Sequence, residues 1–219
     1  MINFIELVPK AFRTTDPVDL DRCIEEPLLL EDLIHSNFRL TRNGIGGFDL
    51  LEAEHALELY GKFHAIGLRF CEKKVDVNQD HEKLLRFKFM NFFHGSEIFK
   101  DTAKNGMEIL VKWMESKEDY NETCHRLKFL LKDQKYQKIA LDLFKEGEAH
   151  ELQIIQHGDA RGSNIFFKYA EETKEPINVK LVDFQFSCFF CPFWDLVYFL
   201  SQNLKADLLE KNLTNLVGR

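Results

Sequence analysis

The sequence predicts an α+β chain: a mostly helical lobe that carries one small β-hairpin, with a remnant of strand structure at its N-terminal end. Three observations lead there. Long segments between Leu51 and Phe144 repeat apolar residues at helical spacing. Ile165-Phe166-Phe167 and Val179-Lys180-Leu181-Val182 are short strand-like runs on either side of a polar, proline-bearing turn, Ala170 to Asn178. Residues 1–30 have room for one or two strands at most.

The elements follow in order. Gly44-Ile45-Gly46-Gly47 reads as a loop, because Asp49-Leu50-Leu51-Glu52 behind it has the pattern of a capping box opening a helix. The helix from Leu51 to Phe70 puts Leu51, Leu59, Phe63, Ile66 and Phe70 largely on one face. Asp80 to Phe93, Ser96 to Met114 and Tyr120 to Phe144 show the same mixed periodicity with charged faces. The chain's 21 Phe residues, many on these stripes, read as core. Ile154-Ile155 is a short apolar run that enters the loop before the hairpin.

Composition excludes several classes. The 219 residues suit one domain or a large lobe, and 45% hydrophobic content can build a core. A net charge of −7 argues against nucleic acid as a partner. Phe184 to Leu200 is the most apolar stretch, but Gln185, Pro192 and Asp195 interrupt it, so no membrane span is expected. Met1 to Phe12 lacks a basic start and a small-residue cleavage site, which favours a cytoplasmic chain. The cysteines Cys23, Cys71, Cys124, Cys188 and Cys191 are odd in number and scattered, so no disulfide framework is expected. Cys188 and Cys191 lack a second pair or histidines at ligand spacing, and read as buried thiols in a loop.

The chemistry concentrates in His157-Gly158-Asp159-Ala160-Arg161-Gly162-Ser163-Asn164 and, nineteen residues after Asn164, Asp183-Phe184-Gln185. Four residues separate Asp159 from Asn164, which is the D-x-x-x-x-N spacing of a kinase catalytic loop. Phosphoryl transfer asks a protein mainly for positioning and charge neutralisation. One Asp can orient a hydroxyl for attack. An Asn and a second Asp offer hard oxygen donors to Mg²⁺, which takes few protein ligands and prefers substrate phosphates. Any one of these residues alone reads as a turn or cap residue; the ordered set around a hairpin reads as a phosphotransferase site.

The same residues resemble the ecdysteroid-kinase-like family of insects, also called CHK-kinase-like or juvenile-hormone-inducible, related to choline and aminoglycoside kinases. That family typically shows HGDLWTNNIMF, then VKLVDFQ, then a D-L-A-Y-F-L segment. This chain has HGDARGSNIFF, VKLVDFQ and Asp195-Leu196-Val197-Tyr198-Phe199-Leu200. Ala160 and Arg161 stand where Leu and Trp are usual. Upstream, Leu28-Leu29-Leu30-Glu31-Asp32-Leu33 resembles the family's hinge strand, and Lys62-Phe63-His64-Ala65 its L-A-K-L-H-A helix, where His64 itself reads as a packed helix residue.

The resemblance implies a protein-kinase-like fold. Residues 1–30 would be an N-lobe remnant with the hinge strand, and residues 31–219 a helical C-terminal lobe, incomplete at its end. It implies Asp159 as catalytic base, Asn164 and Asp183 as Mg²⁺ ligands, Asp195 as a brace for the catalytic loop, and Glu31, Asp32 and Leu33 as hinge contacts to ATP. The substrate implied is a small-molecule alcohol, steroid-like or otherwise lipophilic. Kinases of this type also need a phosphate-covering glycine loop and a strand Lys before the hinge. No glycine precedes Gly44 and Lys10 is the only lysine before it, so the chain reads as truncated at both ends, with weak ATP binding. The alternative is an inactive pseudokinase or a small-molecule-binding lobe.

Overall fold

The structure is a computed structural model, and it describes residues 4–12, 29–44, 47–72 and 97–218. Two compact units divide the chain: Met1–Asp76, Ile154–Ser187 and Pro192–Arg219 form the first, Val77–Gln153 and Cys188–Cys191 the second. The helix expected over Asp80 to Phe93 lies outside the described residues, as do Leu28 and Cys23.

The first unit opens with a short helix, α1 (Phe4–Leu7), and a minimal strand pair, β1 (Ala11–Phe12) with β2 (Leu29–Leu30), antiparallel with Ala11 opposite Leu30. Strand β3 (Phe38–Arg39) follows, then the long helix α2 (Leu50–Glu72). The capping box is formed as its sequence suggests: Asp49 Oδ1 accepts the Glu52 N–H at 2.9 Å and Glu52 Oε2 accepts the Asp49 N–H at 3.1 Å. Glu52 is fully buried, so its carboxylate needs more than the cap. It also accepts from the Thr41 hydroxyl at 2.8 Å, the Arg42 N–H at 3.2 Å and the Tyr169 hydroxyl.

The buried face of α2 includes Leu59 and Phe63 as expected, with Ile66 packed against the core, and is widened by Ala53, Ala56 and Tyr60, while Leu51 faces solvent at 39% exposure. Alanines carry little hydrophobic signal, yet they let another backbone come close. Gly67 does the same one end further along: a Cβ there would stand 3.2 Å from Ile155.

Against α2 packs a three-stranded antiparallel sheet in the order β3–β5–β6. Strand β4 (Ile154–Gln156) precedes the loop over residues 157–164; β5 (Ile165–Tyr169) and β6 (Pro176–Leu181) are the hairpin. Its register sets Ile165 opposite Leu181 and Phe167 opposite Val179, with an irregularity between Lys168 and Tyr169. Period-two alternation turns Ile165, Phe167, Val179 and Leu181 into the core, all buried. Pro176, expected in the turn, is instead the first residue of β6, a strand position that tolerates its missing N–H.

The second unit contains α3 (Glu97–Met114), α4 (Asn121–Leu131) and α5 (Lys135–Glu148), with strand β7 (Cys188–Phe190). The single helix expected from Tyr120 to Phe144 is two. Asp133 and Gln134 take left-handed backbone, φ 56° and 53°, which breaks the helical hydrogen-bond ladder. Val111, Met114 and Cys124 form a small core there. Cys188 and Phe190, expected in a loop, lie in strand, with the Phe190 ring 5.8 Å from that of Phe144. Cys124, Cys188 and Cys191 are free thiols.

The first unit closes with α6 (Phe193–Asn203) and α7 (Ala206–Val217). Phe199, Leu200 and Leu216 complete its core with Phe48, whose ring meets Phe167 edge-on at 5.1 Å. Among the described residues no helix is long and apolar enough to cross a membrane.

Candidate active site

The loop between β4 and β5 is held from below by one buried carboxylate. Asp195, near the start of α6, is fully buried. Its oxygens accept the backbone N–H of His157 at 2.7 Å and of Gly158 at 2.8 Å. A third donor is His64 Nε2 on α2, 3.0 Å from Asp195 Oδ2. Gln156 adds a fourth tie, its Oε1 accepting the Asp195 N–H at 3.1 Å. Four hydrogen bonds join a strand end, a loop and two helices at one residue, which fixes the loop backbone that carries Asp159. His64 is thus a packed helix residue, as its sequence context suggests, with a hydrogen bond to Asp195 in addition.

The loop's shape requires glycine at its second position. Gly158 has φ +83°, and a Cβ there would lie 2.2 Å from the carbonyl oxygen of Phe186. The loop thus rests directly on the segment that follows Asp183. His157 strengthens that contact. Its Nε2 donates to the Val182 carbonyl at 2.8 Å, and its Nδ1 accepts the Asp159 N–H at 3.3 Å. These partners fit one neutral tautomer, with the proton on Nε2. The Val182 N–H in turn donates to the Asn164 carbonyl at 3.0 Å. Asp159, Asn164 and Asp183 are therefore linked through backbone as well as through sequence order.

Asp159 is buried to 5% exposure and three side chains meet its carboxylate. The Tyr198 hydroxyl donates to Oδ1 at 3.1 Å, Asn164 Nδ2 donates to Oδ2 at 2.9 Å, and Arg161 Nε forms an ion pair with Oδ2 at 3.0 Å. Burial, and then the Asp159 charge, push the Tyr198 phenol above its usual range, so it stays a donor. Asn164 Nδ2 also donates to the Asp159 carbonyl at 3.1 Å. Its amide nitrogen is thereby committed, and its oxygen accepts from the Ser163 hydroxyl at 3.5 Å. Asn203 holds the loop from the far side, its Nδ2 donating to the Ala160 carbonyl at 2.7 Å.

Asp183 sits at the end of the hairpin with left-handed backbone, φ 64° and ψ 67°, and an exposed side chain. A non-glycine residue held there costs on the order of 1 kcal/mol or more, and such strain clusters at functional sites. Its only described side-chain partner is Gln185 Nε2, at 3.2 Å. The Asn164 amide oxygen and the Asp183 carboxylate are hard donors that suit Mg²⁺ in concert with phosphates. Among the described residues no cluster of three or more His, Cys, Asp or Glu makes an all-protein metal cage.

Beside Asp183 opens a cavity of about 810 Å³, lined by Val8, Pro9, Leu30, Phe63, Ile66 and Phe184 among others. It is mostly apolar and its volume falls in the ligand-site range. Glu31, Asp32 and Leu33 do not line it; the segment meets the cavity one residue earlier, at Leu30. Glu31 has other partners: Lys180 Nζ at 2.6 Å and the Ser36 hydroxyl at 2.9 Å. The hydrogen bond from Lys180 pulls its carboxyl down to about 2. Asp32 Oδ1 accepts the His35 N–H at 3.0 Å, and Leu33 is buried.

Sequence reasoning gave no role to Tyr198, Asn203 or Gln156. For Tyr198 a signal existed: it lies three residues after Asp195, on the same face of a helix. Asn203 and Gln156 act through backbone partners that no spacing rule reveals.

A search of curated proteins returns no match for this chain. The ecdysteroid kinase-like family profile matches residues 3–219, nearly the whole length. The α+β architecture with small antiparallel sheets agrees with the kinase-like fold of that group. The chain belongs to the ecdysteroid kinase-like family.

Proposed function

We propose that this chain is an ATP-dependent small-molecule kinase that phosphorylates a hydroxyl of a steroid-like or other lipophilic alcohol. The observation that carries the reading is the pairing of a braced Asp159–Asn164 loop with an apolar cavity that ends on Asp183. Membership of the ecdysteroid kinase-like family supports the reaction class.

In this reading the apolar cavity takes the nucleotide base, with Leu30 beside it. Asn164 and Asp183 would hold Mg²⁺, which would screen the charge of the phosphates. Asp159 accepts the substrate hydroxyl's hydrogen bond and points its oxygen at the γ-phosphorus. The bond from the γ-phosphorus to the β-phosphate oxygen breaks, and a new one forms to the substrate oxygen. ADP leaves, and the hydroxyl proton passes to the Asp159 carboxylate and on to solvent. Asp195 is a positioning residue: it holds the loop and never meets the substrate.

A second reading is a small-molecule-binding lobe without turnover. Transfer of label from γ-labelled ATP to a panel of hydroxylated sterols and other lipophilic alcohols separates the two. The kinase reading expects a labelled product that Asp159→Asn lowers by roughly a thousandfold. The melting temperature of that variant should stay close to that of the parent. Label transfer within about tenfold of the parent would remove Asp159 from its role. No product with any alcohol, alongside saturable binding of one of them, would favour the binding lobe.

A further inference from the structure

Three side chains already crowd the Asp159 carboxylate where a substrate hydroxyl has to arrive. Its Oδ1 accepts from Tyr198 and its Oδ2 from Asn164, while Arg161 Nε stands 3.0 Å from Oδ2 as an ion pair. These neighbours differ in how easily they can leave. Asn164 is buried and also tied to the Asp159 carbonyl. Tyr198 is part of α6 and half-buried. Arg161 is the exposed one, its side chain 53% accessible, held to Asp159 through Nε alone. Its terminal nitrogens, Nη1 and Nη2, hydrogen-bond to no described residue. They form the part of a guanidinium that matches two phosphate oxygens at once.

We propose that Arg161 covers Asp159 Oδ2 in the unliganded protein and moves to the γ-phosphate of ATP when substrates bind. The inference rests on the kinase reading above. The ion pair keeps the buried Asp159 carboxylate balanced while the site is empty. An arriving γ-phosphate offers the guanidinium a more highly charged partner, and its departure opens Asp159 Oδ2 to the alcohol. The same side chain then neutralises charge on the transferring group, a task phosphotransferases commonly give to arginine. Arg161 would be a catalytic residue by contact with the reacting group.

The test is calorimetric titration of the intact chain with Mg-ADP and with the non-hydrolysable β,γ-imido analogue of Mg-ATP. The two ligands differ in the γ-phosphate. Arg161→Ala should weaken the imido analogue by about tenfold or more while leaving ADP affinity within about twofold, since a charge-assisted bond is lost at one position only. Arg161→Lys, a point charge without the fork, should fall between. Because Arg161 is exposed, both variants should fold, and their melting temperatures check this. Equal weakening of both ligands would make Arg161 a general electrostatic or structural residue and overturn the proposal. Unchanged affinity for both would overturn it too. If the parent chain binds neither ligand, the kinase reading fails and takes this inference with it. If the parent binds both and only the variant pattern is wrong, this inference alone fails.

Discussion

Gly158 shows how much of the candidate site depends on single atoms. Its positive φ is open to glycine at little cost, and the Phe186 carbonyl leaves no room for a methyl group. Gly158→Ala should therefore destabilise the chain by about 2–3 kcal/mol, from left-handed strain plus displacement of the segment after Asp183. Urea unfolding measures this. A cost below about 0.5 kcal/mol would mean that the loop does not rest on Phe186 as described. Asp195 has the complementary character: a buried carboxylate is costly alone, but here backbone and imidazole donors meet it. Tyr60 sits close by in the same core, its phenol pushed well above its usual range by burial and then by the Asp195 and Asp159 charges. The hydroxyl of Tyr60 has no partner among the described residues.

At the scale of elements, the link between the β2 segment and the hairpin is an ion pair. Lys180 points away from the core face that Val179 and Leu181 fill, and its ammonium, 8% exposed, meets Glu31. The folded-state carboxyl of Glu31 lies near 2, below its ordinary 4.5. A depressed carboxyl pKa contributes stability that is present above the unfolded value and lost as pH falls through the folded one. Stability should therefore decline between about pH 4.5 and about pH 2 in part because of Glu31. Glu31→Gln should lower stability by about 1–2 kcal/mol at neutral pH and flatten the acid-side slope. An unchanged slope in that window, followed by thermal melting, would deny the pair this role. Much at this scale was legible beforehand. The hairpin announced itself by alternation around a polar turn, and the capping box by Asp49 and Glu52. The stripe on α2 was legible at Leu59, Phe63 and Ile66 but not at Ala53 and Ala56, which bury by smallness and not by apolar bulk. The break between α4 and α5 was missed, because Asp133 and Gln134 carry no glycine or proline to mark left-handed backbone.

Over the whole molecule, the order Asp159, Asn164, Asp183, Asp195 along the chain becomes a site by way of the fold. Strand β4 and α6 hold the loop, the hairpin sets Asp183, and α2 packs behind both. The order was readable from spacing. The braces His64, Gln156 and Asn203 were not, since they answer backbone groups whose positions exist only after folding. In the proposed kinase reading, the net charge of −7 leaves the binding of a polyanionic nucleotide to metal and to local donors such as Arg161. Binding should consequently depend on Mg²⁺. The most direct measurement is calorimetric titration of the parent chain with ATP, in Mg²⁺ and in EDTA, alongside Asp183→Asn. The account predicts saturable one-to-one binding in Mg²⁺ that EDTA and Asp183→Asn each abolish, while Asp159→Asn retains it. Absence of binding in Mg²⁺, or binding indifferent to both EDTA and Asp183→Asn, would contradict it.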